Sequence, residues 1–95
     1  MIIPDKLKII GRDYEVKFDP RLVMEDGSAA LGHHKGAINA IIINSSYPAE
    51  IQSMSLLHEI IEAINHNFEL GLEHNQICTL EEGLYQVLKD NNLCF

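Results

Sequence analysis

Apolar residues recur at helical spacing in the second half of the chain, and this pattern most constrains the fold. One stripe follows the helix-compatible Pro48 and consists of Ser53, Leu57, Ile60, Ile61, Ile64 and Phe68. A helix with such a stripe must bury one side against another element. We predict that this helix begins near Ser46 or Tyr47, and that Gly71 ends it.

A second amphipathic helix is predicted from about His74 to Asp90. Its apolar face comprises Ile77, Leu80, Leu84, Val87 and Leu88. Two consecutive helices with one apolar face each are expected to pack against one another. Residues 47–95 therefore form the helical part of the chain.

Residues 1–46 carry strand signals instead. Between residues 7 and 18, apolar and charged side chains alternate with a period of two, as in Tyr14, Glu15, Val16, Lys17 and Phe18. Residues 29–34 predict a short middle strand, and the β-branched run 37–43 predicts another. Because 95 residues allow only one core, we expect a single α+β domain over residues 1–95. It would have a small antiparallel sheet of two to three strands followed by two packed α-helices.

Charge and hydropathy exclude several classes of partner. The net charge is −7, from 14 acidic and 7 basic residues, so the surface would repel a phosphate backbone and no nucleic-acid partner is expected. No apolar run approaches the roughly 18 residues of a membrane span, and no signal peptide is evident. Without a secretory signal, Cys78 and Cys94 are expected to be free and reduced. A cytoplasmic protein is therefore expected.

The first helix carries the motif HExxE, in which His58, Glu59 and Glu62 are residue types that can bind a metal or act as a base. Side chains four residues apart on a helix have Cβ atoms roughly 5–6 Å apart, so His58 and Glu62 can reach one metal ion. Glu59 lies on the adjacent flank, where it could act as a base toward a water on the metal. By itself the pentapeptide favours a helix with solvated glutamates and a flanking histidine over a metal site.

The second helix offers a third metal ligand, and two residues compete for the role. His74 and Glu81 lie on the face expected to pack against the first helix, but they are about 10.5 Å apart along the axis. They are therefore not expected to share one ion. We favour His74, because two imidazoles and one carboxylate are a common composition for catalytic zinc. Glu81 is the alternative ligand, or it accepts a hydrogen bond from a ligand. In a metal-free reading, Glu81 would simply bond to His58 or His66.

The remaining histidines are expected to lie outside the ligand set. His66 is two turns from His58 and about 80° around the helix. His33 and His34 are neighbours in a predicted turn or strand, where successive side chains diverge. We interpret both as surface residues.

Several segments resemble small phage- and prophage-borne proteins that are similar to minimal zincin metallopeptidases. They are residues 56–65, 72–74, 80–81 and 84–91, and the resemblance extends over about 54–91. Many of those proteins carry HExxH where this chain has HExxE.

The resemblance implies a zinc-dependent hydrolase in the cytoplasm of a bacterial or phage-infected cell. Its substrate would be a peptide or protein, with Glu59 as the general base. In zincins the strand before the active helix commonly binds the substrate, so residues 37–43 are expected to form an edge strand that pairs with a peptide.

Two functions remain open at this stage. The first is a metallopeptidase-like hydrolase with zinc held by His58, Glu62 and His74, although iron or manganese would also suit a site that contains carboxylates. The second is a catalytically inactive binding module, because Glu62 replaces the second histidine of HExxH.

Overall fold

The computed structural model describes residues 2–93 and confirms the α+β class, with a sheet followed by two helices. In chain order the elements are β1 (Lys6–Ile9), β2 (Arg12–Phe18), β3 (Gly32–Lys35), β4 (Ala40–Ile43), α1 (Ala49–Phe68) and α2 (His74–Asp90). A single 3₁₀ turn, Gly36–Ile38, connects β3 to β4.

Within the described residues the sheet has four strands in the order β1-β2-β4-β3, one more than the upper limit that we predicted. It is also mixed and not purely antiparallel, because β2 and β4 run parallel. The cause is the β3–β4 hairpin: β3 forms the far edge of the sheet, and the returning β4 inserts between β3 and β2.

The prediction of an edge strand over residues 37–43 is therefore wrong. Only Ala40–Ile43 is strand, because residues 36–38 form the 3₁₀ turn and Asn39 is left-handed, with φ of 50°. β4 pairs on both sides, and Ile41 and Ile43 are fully buried. A continuous β-branched run is typical of such a central, two-sided strand. The edge strand next to it is β3.

Helix α1 lies between two layers and contributes to two apolar clusters. The first cluster joins the sheet to α1 and comprises Ile9, Tyr14, Val16, Ile41, Ile43, Leu56 and Ala63. The second joins α1 to α2 and comprises Leu57, Ile61, Ile77 and Tyr85. Burying one large apolar side chain contributes about 1.5–3 kcal/mol. These two clusters fix α1 in position between the sheet and α2.

The predicted apolar stripes are only partly correct. Phe68 is 59% exposed at the end of α1. On α2, Ile77 and Leu88 pack toward α1 as expected, but Leu80, Leu84 and Val87 are 44–45% exposed. Within residues 2–93, α2 packs mainly against α1, so only the side of α2 that faces α1 is covered.

The predicted bounds of α2 are confirmed, whereas those of α1 shift at both ends. Pro48 occupies the N-cap position of α1, and the left-handed Glu69, not Gly71, ends that helix. In α2, Glu73 and Gln76 form a reciprocal capping box, which satisfies free N–H groups of the first turn. Neither helix in residues 2–93 is long and apolar enough to cross a membrane.

Candidate metal centre

The structure brings His58, Glu62 and His74 together at the seam between α1 and α2. One ligand atom from each lies within 4.8 Å of the other two, and the rings of His58 and His74 are 5.3 Å apart, centroid to centroid. Ligand atoms of a tetrahedral zinc site lie about 3.3 Å apart, at about 2.0–2.1 Å from the metal. Small rotations of these side chains would therefore close the group on an ion.

Glu81 lies against His58 and not within this group of three. The Nδ1 of His58 and the Oε1 of Glu81 are 2.7 Å apart, and both side chains are mostly buried. A carboxylate at one imidazole nitrogen fixes the ring and its tautomer. The Nε2 of His58 is therefore the nitrogen that is left for a metal.

Glu59 is a buried acid that has no hydrogen-bond partner within residues 2–93. Its residue is only 5% exposed. Burial, with smaller contributions from Glu62 and Glu81, raises the pKa of Glu59 to about 8. In the metal-free protein this carboxyl is therefore largely protonated at neutral pH. An adjacent cation would favour the carboxylate and lower the pKa.

The backbone of β3 lies directly against Glu59 at Gly32. A Cβ atom on Gly32 would be 3.0 Å from the Oε2 of Glu59 and 3.1 Å from its Cγ. Real side chains rarely pack this closely, so a residue larger than glycine would force Glu59 to move. The absence of a side chain at Gly32 of β3 therefore leaves the space that the Glu59 side chain occupies.

We expect Gly32→Ala to lower the free energy of unfolding by about 1 kcal/mol, because overpacking a buried site strains its neighbours. Gly83→Ala is the matched control, since nothing lies within 4 Å of a Cβ there. Alanine inside a helix is favoured over glycine by about 1 kcal/mol, so this variant should be more stable. Urea denaturation of both variants measures the difference. Equal stabilities would contradict the close contact between Gly32 and Glu59.

A cleft of about 340 Å³ opens beside these groups. Its polar lining includes His58, Glu59, His74, Cys78 and Glu81. The rest of its lining is largely apolar and includes Met24, Leu31, Ile51 and Met54. The cleft combines apolar walls with a few convergent polar groups, as small-molecule and peptide sites usually do.

Cys78 is a neighbour of the centre that the sequence interpretation overlooked. Its Sγ is 3.4 Å from the Nε2 of His74, and its position one turn after His74 was the available signal. Burial, and then the charges of Glu81, Glu82 and Glu62, raise the pKa of the thiol, so it is neutral at pH 7. Cys78 is free as expected, whereas Cys94 lies outside the described residues.

The other histidines divide into one exposed residue and one contacting pair. His33 is exposed on β3, as expected, but His34 is half-buried. The rings of His34 and His66 are in edge-on contact, with centroids 5.4 Å apart. Burial is the main cause that lowers the pKa of His34, which favours its neutral form. His66 lies outside the group formed by His58, Glu62 and His74.

Comparison with known proteins adds no relative from which a role could be transferred. No family model, no curated protein and no solved structure matches the chain. Any function must therefore be inferred from the motif and from the arrangement of its side chains.

Proposed function

We propose that the protein is a zinc-dependent, metallopeptidase-like hydrolase in which His58, Glu62 and His74 are the metal ligands. The observation that carries this proposal is the position of Glu59, an acid that is only 5% exposed and lines the cleft beside three converging ligand groups. The pKa of Glu59 is raised to about 8, mainly by burial. An acid in a cleft whose pKa is shifted in this way is a candidate for a chemical role.

The donor set fits zinc. Two imidazoles and one carboxylate leave a coordination position open, as catalytic zinc sites require. Zinc, when bound, lowers the pKa of a water ligand and polarises a substrate carbonyl. A carboxylate partner such as Glu81 raises the basicity of the histidine that it orients. We therefore propose that Glu81 orients the imidazole ring of His58 through its contact with Nδ1.

Glu59 is the general base in this proposal. Its pKa of about 8 in the metal-free protein would fall when a cation binds beside it, because the positive charge stabilises the carboxylate. A base whose pKa lies near the working pH is the most effective one. Glu59 would accept a proton from the attacking water.

An extended peptide is the substrate class that the surroundings favour. β3 is an edge strand, so its outer backbone groups can pair with an added strand. A peptide bound there would run beside Glu59, because Gly32 of β3 packs against that side chain. The apolar side chains that line the cleft would accept an apolar residue of the peptide.

Zinc binding by protein without a histidine tag tests the ligand assignment. We expect His58→Ala to weaken zinc binding by at least about 100-fold, since loss of even an outer partner of a ligand costs 10–100-fold. His33→Ala is the control, because His33 is an exposed histidine on β3, and it should bind like the wild type. Competition with a chromophoric chelator measures both affinities. Equal zinc affinities of the two variants would show that His58 is not a metal ligand.

Cleavage of unstructured peptides, followed by mass spectrometry, tests the activity. The zinc-loaded protein should cleave them, and a chelator should stop the reaction. Zinc binding without any cleavage would identify an inactive binding module instead. Replacing zinc with iron or manganese in the same assay determines which metal supports turnover.

A further inference from the structure

A second groove adjoins the cleft and runs along the free edge of β3. It has a volume of about 650 Å³, and its walls come from β3 and from residues 22–26. Met24, Ala30 and Gly32 line both this groove and the cleft that contains Glu59. The two spaces therefore join at these three residues, and an extended chain that is bound in one can continue into the other.

Free backbone groups of β3 face this groove. The backbone N–H of Asn44 donates to the carbonyl of Leu31, so the backbone groups of Leu31 point to the side of β4. Successive residues of a strand point these groups to opposite sides, and those of Gly32 and His34 therefore point to the free edge. Such groups are a template for an added strand. A peptide paired there would lie in the groove, because Gly32 and Lys35 line it.

The wall opposite β3 is a short hairpin, residues 22–30, whose two arms are joined by an antiparallel bridge. The Nδ2 of Asn44 donates hydrogen bonds to the carbonyls of both arms, at 2.9 Å to Ala30 and 3.4 Å to Leu22. Asn44 is only 3% exposed. This buried amide anchors the base of the hairpin to the end of β4, so the groove has two walls that the fold holds in place.

The hairpin brings negative charge to the end of the groove that joins the cleft. Glu25 directly follows Met24 and lines the groove, and no ion pair engages it within residues 2–93. The carboxylate of Asp26 accepts hydrogen bonds from the hydroxyl and the N–H of Ser28, which lower its pKa. Lys35 also lines the groove, but it is at the far end of β3, about 10 Å from the first residue of that strand.

We propose that this groove binds the part of an extended peptide that adjoins the cleft, and that Glu25 selects a lysine or an arginine there. The inference rests on the proposed function for the choice of a peptide as the ligand, and it adds the class of peptide. That class has a basic residue in the groove next to an apolar residue in the cleft. The net charge of −7 also favours the approach of a cationic peptide. An acidic residue at the same place would be repelled by Glu25.

Peptide binding to the metal-free protein, measured by fluorescence anisotropy, tests this selection without requiring turnover. The probes are two labelled unstructured peptides that contain one leucine and differ only in the residue beside it, lysine or glutamate. We expect the wild type to bind the lysine peptide about five-fold more tightly, the size of effect that an exposed charge pair supplies. Glu25→Lys should abolish or reverse this preference. Glu82→Lys, which makes the same change of net charge on the exposed side of α2, should retain it.

A third probe tests the pairing with β3. The lysine peptide with N-methylated backbone amides cannot donate to the strand, so it should bind about ten-fold more weakly. Equal binding of the methylated and unmethylated peptides, or no binding of either, would overturn the groove as a peptide site. An unchanged preference in Glu25→Lys would overturn the selection by Glu25.

The outcomes also separate this inference from the proposed function. Selective binding of the lysine peptide by a protein that neither binds zinc nor cleaves peptides would support the groove and overturn the hydrolase. Zinc-dependent cleavage of the lysine and glutamate peptides at equal rates, with equal affinities, would support the hydrolase and overturn the selection by Glu25.

Discussion

Replacing Glu59 with glutamine is expected to lower peptide hydrolysis by the zinc-loaded protein by about 10²–10⁴-fold, the usual contribution of a general base. The amide has nearly the shape of the carboxyl group, but it cannot accept the proton. Glu59 is not among the three ligand residues, so zinc affinity should stay within a few-fold of that of the wild type. Initial rates with one peptide, at saturating zinc, measure the effect.

Glu82→Gln is the matched control for this experiment. Glu82 is an exposed glutamate on α2, next to Glu81, and its loss changes the net charge by the same amount. Turnover by this variant should equal that of the wild type. Undiminished turnover in Glu59→Gln, with zinc bound, would exclude Glu59 as the base and with it the proposed mechanism.

The stability of the metal-free protein is expected to fall as the pH rises from about 4.5 to about 8. In the unfolded chain Glu59 ionises near its ordinary pKa of 4.5, whereas in the folded protein its pKa is raised to about 8. Between these values the unfolded state binds fewer protons than the folded state, so raising the pH favours unfolding. The stabilisation is complete below about pH 4.5 and is lost by about pH 8, a change on the order of 5 kcal/mol.

Glu59→Gln should remove this pH dependence, because the amide does not ionise. At pH 8 the variant should therefore unfold at a higher urea concentration than the wild type, although it is inactive. Glu82→Gln should retain the slope. Zinc should also reduce the slope in the wild type, since a bound cation favours the carboxylate. If the stability of the wild type and that of Glu59→Gln changed equally with pH, ionisation of Glu59 would not be the cause of the pH dependence.

Local patterns were enough to predict the helices and the class of the fold. The period of apolar residues from Ile77 to Leu88 and the polar residues around it predict α2 with the bounds that the structure shows. Such patterns are reliable because a helix is formed by residues that are near in sequence. The number of helices and their order followed in the same way.

Sheet topology could not be predicted in this way. The run from residue 37 to residue 43 reads as one strand, yet it is divided by the 3₁₀ turn, and only Ala40–Ile43 is paired. Its parallel partner β2 precedes β3 in the chain, and the sequence does not show that β4 inserts between β2 and β3 in the sheet. Strand order depends on contacts between distant segments, and alternation of side chains does not encode which segments pair.

The sequence by itself determined which residues of α1 share one helical face, because the repeat of the helix brings His58 and Glu62 one turn apart. Only the tertiary structure decided which groups join them. It placed His74 near both and Glu81 on the Nδ1 of His58, and it brought His34 from the sheet edge to His66. The reason is physical: distances within a helix are fixed by its geometry, whereas distances between elements are set by how their apolar faces pack.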